Sequence, residues 1–260
     1  MKKVIDIHSH ILEAVDDGAP NIQYSIEIAR IAQMSGTKHM IATPHYIPGL
    51  YEVPYTKVKQ KVEKLNEYLK IANMPIQIYP GQEVKLGEGI LTKIREGEIG
   101  TLNESQYMLV EFEGDGVTPS DLKILDTLRA LHIKPIIAHI ERYKDIPRHR
   151  EMLNELIKRK CYMQCNVNSL NGVDGKKMQK WSKELMNLGC IHLLASDAHS
   201  IGRRNPEMES GYEEIEAMGN KLLIKQLQVN ATHVLEGKEI LYTTPLISMQ
   251  KRSLVNWKRD

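Results

Sequence analysis

The chain has 260 residues, of which 42% are hydrophobic and 26% are charged, a composition that supports one large hydrophobic core. Its formal net charge is only +2, and no basic stretch is interleaved with aromatic side chains, so the sequence does not indicate a nucleic-acid-binding protein. No apolar run approaches the roughly 20 residues of a membrane span, and no apolar signal-peptide core follows the first residues. We therefore expect a cytoplasmic protein without membrane insertion.

Short apolar runs alternate with longer amphipathic segments along the chain. The predicted strands, in chain order, are VIDIH (4–8), HMIATPH (39–45), IQIYPGQE (76–83), YMLVEFE (107–113), PIIAHIE (135–141), YMQCNVN (162–168) and IHLLASDAH (191–199). They recur at the spacing of strand–helix units, and several are nearly all apolar, as is typical of parallel strands buried on both faces. This order predicts an α/β protein with one barrel-like domain over residues 1–245, followed by a basic C-terminal tail, 246–260.

Two of the intervening segments carry clear helix signals. Residues 20–36 place Pro20 where a first helical turn favours it and Gly36 where a helix ends. Residues 55–75 are predicted to form a longer amphipathic helix. Its apolar stripe, which we expect to face the core, consists of Val58, Val62, Leu65 and Leu69.

The sequence contains three cysteines, Cys161, Cys165 and Cys190, an odd number in apolar contexts. This pattern predicts reduced thiols in the core rather than a disulfide framework. None is followed six positions later by the arginine that a cysteine-dependent phosphatase needs. The chain also lacks the G-x-S-x-G and P-loop motifs of serine hydrolases and nucleotide-binding motors.

Side chains that bind metals stand at the carboxyl ends of six of the seven predicted strands. In chain order these residues are His8 and His10, His45, Glu83, Glu111 and Glu113, His139 and Glu141, and Asp197 and His199. The remaining predicted strand ends in Asn166, Asn168 and Ser169, which metals do not favour. Because the carboxyl ends of barrel strands meet at one face, we expect a single site there, joined by one aspartate of the Asp16-Asp17 turn.

Five further histidines fall at strand starts, turns or helices rather than at strand ends. We expect them to be surface or helix-capping residues: His39, His132, His149, His192 and His233.

The predicted ligand set combines imidazole nitrogens with carboxylate oxygens and contains no thiolate. Such a set suits Mn, Fe, Zn or Co, with Mg less favoured beside so many imidazoles, and it argues against a closed structural zinc site. About nine ligand groups exceed the needs of one metal, whereas two or three metals can share them. Sites of this kind support hydrolysis by stabilising the entering and leaving oxygens.

Arginines near the predicted site indicate the substrate class. Arg142 adjoins two candidate site residues, and Arg203 and Arg204 follow Asp197 and His199 closely. Guanidinium groups beside a metal cluster favour a phosphate-like anion, so phosphate ester hydrolysis is the leading reaction. We take Arg203 to be a surface charge and Arg142 to be the better candidate.

The segments IDIHSHIL with DDGAP, ATPHY, PGQEV, LVEFE, AHIERY and ASDAH, in this order and spacing, resemble the PHP (polymerase and histidinol phosphatase) superfamily. They are most similar to its bacterial protein-tyrosine phosphatases of the CpsB/CapC type, which occur with capsule and exopolysaccharide operons. The resemblance extends from Ile5 to about Arg204. One segment departs from the pattern: YIPGLYE follows His45 where relatives often carry polar or basic residues.

The resemblance implies a distorted (β/α)7 TIM-like barrel that holds three divalent metals, usually manganese. The implied metal ligands are His8, His10, Asp17, His45, Glu83, Glu111, His139, Asp197 and His199. It also implies that Arg142 and Arg204 contact phosphate, and that the substrate is phosphotyrosine on the tail of a cognate tyrosine autokinase controlling polysaccharide export.

Two alternatives remain open from the sequence alone. One is a phosphoesterase of the same superfamily that acts on a small molecule, such as a histidinol phosphatase or a nucleotide phosphoesterase. The other is a non-catalytic metal-binding scaffold. The sequence does not indicate an oligomeric state.

Overall fold

The computed structural model describes residues 4–242. The predicted domain end at residue 245 and the basic tail, 246–260, therefore lie outside the described residues. Within 4–242 the strands are β1 (Val4–Ser9), β2 (Thr37–Ala42), β3 (His45–Ile47), β4 (Tyr51–Glu52), β5 (Gln77–Pro80), β6 (Glu83–Lys85), β7 (Tyr107–Glu111), β8 (Lys134–Ile137), β9 (Tyr162–Asn166) and β10 (Leu193–Ala195). The α-helices are α1 (Ile22–Met34), α2 (Tyr55–Ile71), α3 (Ile90–Arg95), α4 (Pro119–Ala130), α5 (Arg150–Lys158), α6 (Val167–Leu170), α7 (Lys176–Asn187), α8 (Glu209–Ala217) and α9 (Lys221–Leu235).

The strands follow one another around a parallel ring. β1, β2 and β5 pair in one sheet, and β10, β9, β8, β7, β6 and β3 pair in a second, which the short antiparallel β4 extends. The ring closes where the Asp197 N–H donates to the His8 carbonyl (2.9 Å) and the His10 N–H donates to the Ala198 carbonyl (2.8 Å). The predicted α/β class is confirmed, and the ring fits the distorted TIM-like arrangement expected from the sequence.

Two of the predicted strands are each broken into two segments. The run 39–45 breaks between β2 and β3 because Pro44 has no N–H to donate to a ladder, and the run 76–83 breaks at residues 81–82. Backbone hydrogen bonds keep neighbouring strands paired across both breaks. The Thr43 N–H donates to the Ser9 carbonyl (2.8 Å), and the Glu83 N–H donates to the Pro44 carbonyl (3.0 Å). The breaks redirect His45 and Glu83 at the carboxyl face of the ring.

The two predicted helices form close to their expected positions. α1 starts later than predicted, because the Asn21 side chain caps it by accepting from the Tyr24 N–H, which leaves Pro20 outside the first turn. Gly36 follows α1 with a φ of +87°, as a terminating glycine does. The predicted apolar stripe of α2 is buried throughout.

The core has an inner and an outer part. Side chains from β1, β2, β7, β8, β9 and β10 form one buried cluster, so this cluster fills the ring. The helices cover its outside; α1 and α2 pack against β2 and β5. The three cysteines are free and buried, as predicted. No helix of residues 4–242 is both long and apolar enough to cross a membrane.

The expectation of a surface or capping role is wrong for His192. Its ring is fully buried, stacks on Tyr242 with centroids 4.8 Å apart, and lies within hydrogen-bonding distance of the Met163 N–H. It stands just before β10, at the end of the ring opposite the strand ends that carry the candidate ligands. There an aromatic neighbourhood, including Tyr162, encloses the imidazole.

Candidate metal centre

The predicted ligand residues meet in one cluster at the carboxyl face of the ring. Glu83 lies at its centre and is almost fully buried. One carboxylate oxygen lies 2.9 Å from His139 Nε2, and the other lies 3.0 Å from His45 Nδ1 and 3.3 Å from the Nε2 atoms of both His8 and His10. One carboxylate therefore faces four imidazoles from three other strand ends.

The ligand atoms divide into three overlapping groups, in each of which all of them lie within 4.8 Å of one another. The groups are His10 with Asp17, His45 and His199; His8 with His10 and Asp197; and His45 with Glu83 and Glu111. His139 joins the last group through contacts of its Nε2 with Glu83 (2.9 Å) and Glu111 (3.9 Å). All nine predicted ligand residues thus lie in this cluster.

The two aspartates of the turn after β1 have different surroundings. Asp16 Oδ2 accepts from His10 Nδ1 (2.7 Å) and from the His45 backbone N–H (3.0 Å), so Asp16 orients two other residues. Asp17 instead faces His199 Nε2 (3.3 Å) and His45 Nε2 (3.5 Å) and is half exposed. Asp17 is therefore the aspartate of the pair that can contribute a ligand at the mouth of the site.

Backbone strain marks two of the candidate ligands. His139 has a φ of +32° and Asp197 a φ of +54°, in the left-handed region that costs a residue with a Cβ roughly 1–2 kcal/mol. Both residues stand two positions after the end of a strand, β8 and β10 respectively, where the left-handed backbone turns the chain at the carboxyl face. Strain at such positions persists only where surrounding contacts hold it.

The second ring nitrogens fix the orientation of three imidazoles. Nδ1 of His10 faces the Asp16 carboxylate, and Nδ1 of His199 faces the Asp197 carbonyl at 3.0 Å. Both oxygens can only accept, so each Nδ1 carries the proton and each Nε2 presents its lone pair to the cluster. His8 has the same arrangement through Gln164 Oε1 at 3.1 Å. Ligating histidines are typically held in this way.

The cluster strongly perturbs proton binding. Burial alone lowers the pKa of His8, but Glu83 and Asp197 outweigh it and leave the pKa above its ordinary value. Burial likewise lowers the pKa of His10, but contacts with carboxylates, above all Asp16, outweigh it and raise the pKa well above its ordinary value. Burial raises the pKa of the Glu83 carboxyl, but the imidazoles, led by His8, hold it well below its usual range.

Four buried atoms of the cluster make no hydrogen bond to the described residues: Glu83 Oε2, His45 Nδ1, His139 Nδ1 and His199 Nε2. Glu83 Oε2 lies 3.0 Å from His45 Nδ1, and His199 Nε2 lies 3.3 Å from an Asp17 oxygen, but neither pair is aligned as a hydrogen bond. Such unpaired polar atoms are costly in a protein interior. A cation between the candidate ligands would satisfy Glu83 Oε2, His45 Nδ1 and His199 Nε2. The donor set of imidazole nitrogens and carboxylate oxygens fits divalent transition metals.

Two arginines share one oxygen of Asp197. Asp197 Oδ2 accepts from Arg142 at 2.6 Å and from Arg204 at 3.0 Å, while Oδ1 faces His8 and His10. The side chains are 31% and 36% exposed, so both guanidinium groups can reach an anion at the mouth of the cluster. Arg203 is 71% exposed and contacts Asp174, in keeping with a surface charge.

Two acidic residues of the predicted strand ends lie apart from the cluster. Glu113 is exposed beyond β7. Glu141 is buried, and its Oε1 accepts from the Asn166 N–H at 3.0 Å. Glu141 thus fastens the end of β9 to the 3-10 turn that follows β8.

The segment after His45, which departs from the family pattern, forms the β3–β4 hairpin. Tyr51 lies parallel to the His45 ring, with centroids 6.0 Å apart and an interplanar angle of 11°. Leu50 at the hairpin tip is 67% exposed. This side of the rim is therefore apolar and aromatic.

Sequence reasoning missed several buried residues behind the ligands. Asp6 accepts from the Ser196 N–H (3.1 Å) and hydroxyl and joins β1 to β10; burial raises its pKa to about 6. Gln164 and Asn166 on β9 contact His8 and Asp197. A polar residue inside an otherwise apolar strand run was the available signal for all of these.

The chain is similar throughout to one family of bacterial proteins. Residues 4–236 match the family model described as capsular polysaccharide synthesis, CpsB/CapC. The chain is 32% identical to tyrosine-protein phosphatase YwqE of Bacillus subtilis over 93% of this chain and 95% of the relative. It is 31% identical to tyrosine-protein phosphatase CpsB of Streptococcus pneumoniae over 82% and 89%.

A solved structure shows the same relation in three dimensions. It comes from crystal structures of YwqE of Bacillus subtilis and CpsB of Streptococcus pneumoniae, described as metal-dependent tyrosine phosphatases. The match has a TM-score of 0.90 at 32% identity and covers 93% of this chain and 98% of the other. The chain belongs to the CpsB/CapC family.

Proposed function

We propose that this protein is a metal-dependent protein-tyrosine phosphatase that hydrolyses phosphotyrosine on a protein substrate. The observation that carries the proposal is the convergence of nine nitrogen- and oxygen-bearing side chains beside two arginines that share one carboxylate oxygen. Family membership and the tyrosine phosphatase relatives support the same reaction.

The nine residues would hold three divalent metal ions, of which manganese is the first candidate. Three overlapping ligand groups support the number, and the mixture of imidazole nitrogens and carboxylate oxygens supports manganese, iron, cobalt or zinc. Bound divalent metals lower the pKa of water and stabilise charge on the entering and leaving oxygens of a phosphate ester.

The chain's own residues contribute binding and orientation. Arg142 and Arg204 would donate to the non-bridging oxygens of the phosphate, a charge-assisted contact that suits guanidinium groups. Burial raises the pKa of Asp197, but His8 and His10 with the two arginines outweigh it, and the carboxylate stays ionised beside the cluster. Asp16, behind His10, holds that imidazole with its Nε2 toward the site.

Nucleophilic catalysis by cysteine does not fit this chain. Burial raises the pKa of Cys161 and of Cys190 to about 12 and that of Cys165 well above its ordinary value. The thiolate, which is the reactive form, is therefore disfavoured at neutral pH. Hydrolysis would depend on the metal cluster instead.

The openness of the site favours a substrate carried on a protein. Asp17 is half exposed and the two arginines about a third exposed, so the mouth lies at the surface. A phenolate leaving group has an unperturbed pKa of about 10 and departs without a strong general acid.

We propose the tail of a cognate tyrosine autokinase of polysaccharide export as the substrate. The three unpaired cysteines support a cytoplasmic setting.

The test compares substrates on metal-stripped protein reloaded with Mn²⁺. We expect phosphotyrosine peptide to be turned over with a higher kcat/KM than phosphoserine peptide, L-histidinol phosphate or a mononucleotide, and EDTA to abolish the activity. His8→Ala should eliminate turnover, whereas the control His149→Ala, at an exposed histidine outside the cluster, should not. Preference for histidinol phosphate or a mononucleotide would contradict the proposed substrate. Full activity of His8→Ala would contradict the site.

A further inference from the structure

The strand that carries no candidate ligand supplies a buried amide pair behind the metal cluster. Gln164 and Asn166 lie on β9 and are fully buried. Gln164 Oε1 lies 3.1 Å from His8 Nδ1, Gln164 Nε2 donates to Asn166 Oδ1 at 2.6 Å, and Asn166 Nδ2 donates to Asp197 Oδ2 at 2.8 Å. A continuous chain of hydrogen bonds thus joins two candidate ligands on different strands.

Both ends of this chain have a fixed polarity. At one end the His139 backbone N–H, which can only donate, points at Gln164 Oε1 from 2.9 Å. This contact places the amide oxygen there, so His8 Nδ1 must donate to the same oxygen. At the other end the Asp197 carboxylate can only accept, so Asn166 turns its NH₂ toward it.

The fixed polarity has a consequence for the metal site. With the proton on Nδ1, the lone pair of His8 Nε2 is directed at Glu83, Asp197 and His10 in the cluster. The bond to the His139 N–H also supports the left-handed turn at His139, beyond the point where the β8–β9 ladder ends at Ile137 and Met163. One side chain therefore positions two candidate ligands.

We propose that Gln164 and Asn166 are positioning residues that fix the tautomer of His8 and the orientation of Asp197 for metal binding. The proposal rests on the proposed function, since it assigns His8 and Asp197 to the metal site. Partners of this kind typically alter metal affinity by 10- to 100-fold when they are removed.

Gln164→Met tests the proposal by removing the acceptor oxygen at similar side-chain volume. We expect its Mn²⁺ dissociation constant, measured from the EPR signal of free Mn²⁺, to rise by about 10- to 100-fold. In ¹⁵N-histidine NMR of the Zn²⁺-loaded protein, the wild type should show a hydrogen-bonded His8 Nδ1–H, and the variant should lose that signature. Wild-type affinity together with an unchanged signature would overturn the proposal.

Two further variants separate positioning from a general loss of stability. Gln164→Glu keeps an acceptor for His8 and for the His139 N–H but cannot donate to Asn166, so its affinity should lie between those of the wild type and Gln164→Met. Asn230→Leu removes an equally buried amide that bonds the His192 carbonyl, distant from the cluster. It should lower the melting temperature while leaving Mn²⁺ affinity unchanged. Equal loss of Mn²⁺ affinity in all three variants would make the amide pair merely structural.

The wild-type arm separates this proposal from the proposed function. Wild-type protein that binds Mn²⁺ but does not hydrolyse phosphotyrosine peptide would contradict the function and leave the positioning role intact. If the wild type hydrolyses phosphotyrosine peptide and Gln164→Met keeps the wild-type Mn²⁺ affinity and His8 signature, the function stands and the positioning role is contradicted.

Discussion

Glu83→Gln is the substitution that should damage the metal site most with the smallest change in shape. The carboxylate lies within 3.3 Å of nitrogens from His139, His45, His8 and His10, and it is almost fully buried. A unit negative charge at this distance from a unit positive charge is worth about 5 kcal/mol at an effective dielectric constant of 20. Allowing for relaxation and water entry, we expect a loss of roughly 3–5 kcal/mol in Mn²⁺ binding, about 10²- to 10⁴-fold in the dissociation constant.

The assay titrates metal-stripped protein with Mn²⁺ and then measures metal content after gel filtration. Glu113→Gln is the matched control, because Glu113 follows the same strand as Glu111 but is exposed outside the cluster. Glu83→Gln should lose metal and phosphatase activity together, while the control should match the wild type. Retention of Mn²⁺ by Glu83→Gln within about threefold of the wild-type affinity would refute the central position assigned to this carboxylate.

Three other outcomes follow from the site. Arg142→Ala should lower kcat/KM for phosphotyrosine peptide by about 10²- to 10³-fold with Mn²⁺ content unchanged, and loss of metal instead would make Arg142 structural. The pKa values of His8 and His10 are raised in the metal-free protein, so each holds its proton to a higher pH and Mn²⁺ must displace it. The affinity for Mn²⁺ should therefore increase with pH above about 6.5. Calorimetry in buffers of different ionisation enthalpy should detect the released protons. A dissociation constant that does not change with pH would contradict this expectation. Iodoacetamide should leave native activity intact because Cys161 and Cys190 are buried thiols whose pKa values are raised to about 12, and rapid inactivation would contradict it.

The sequence was sufficient to predict where the candidate ligands meet, because the carboxyl ends of parallel strands converge, although Glu113 and Glu141 at two of those ends lie outside the cluster. His8 and Asp197 are far apart in the chain, yet each follows an apolar strand run, and their side chains lie 3.3 Å apart. Local sequence patterns predicted less well where each strand ends. Pro44 breaks a run that otherwise resembles one continuous strand, and the break is what redirects His45.

Residues whose role depends on a neighbour from another strand could not be predicted. Asp16 and Asp17 have the same chemistry and adjacent positions. The family resemblance implied Asp17 as the ligand, but only the fold shows that Asp16 accepts from the backbone N–H of His45 as well as from His10. Gln164 is visible in the sequence only as a polar residue in an apolar strand run, and its role depends on His8, which lies far from it in the chain. His192 resembles a surface histidine until the aromatic residues around it are seen in three dimensions.

The central claim is that the strand-end cluster binds metals for phosphate ester hydrolysis. Anomalous diffraction at the manganese absorption edge, on crystals of Mn²⁺-loaded protein, tests it most directly. We expect three peaks, each bordered by one ligand group of the cluster, with Glu83 beside more than one of them. Absence of peaks among these residues, or manganese bound only elsewhere on the protein, would contradict the claim.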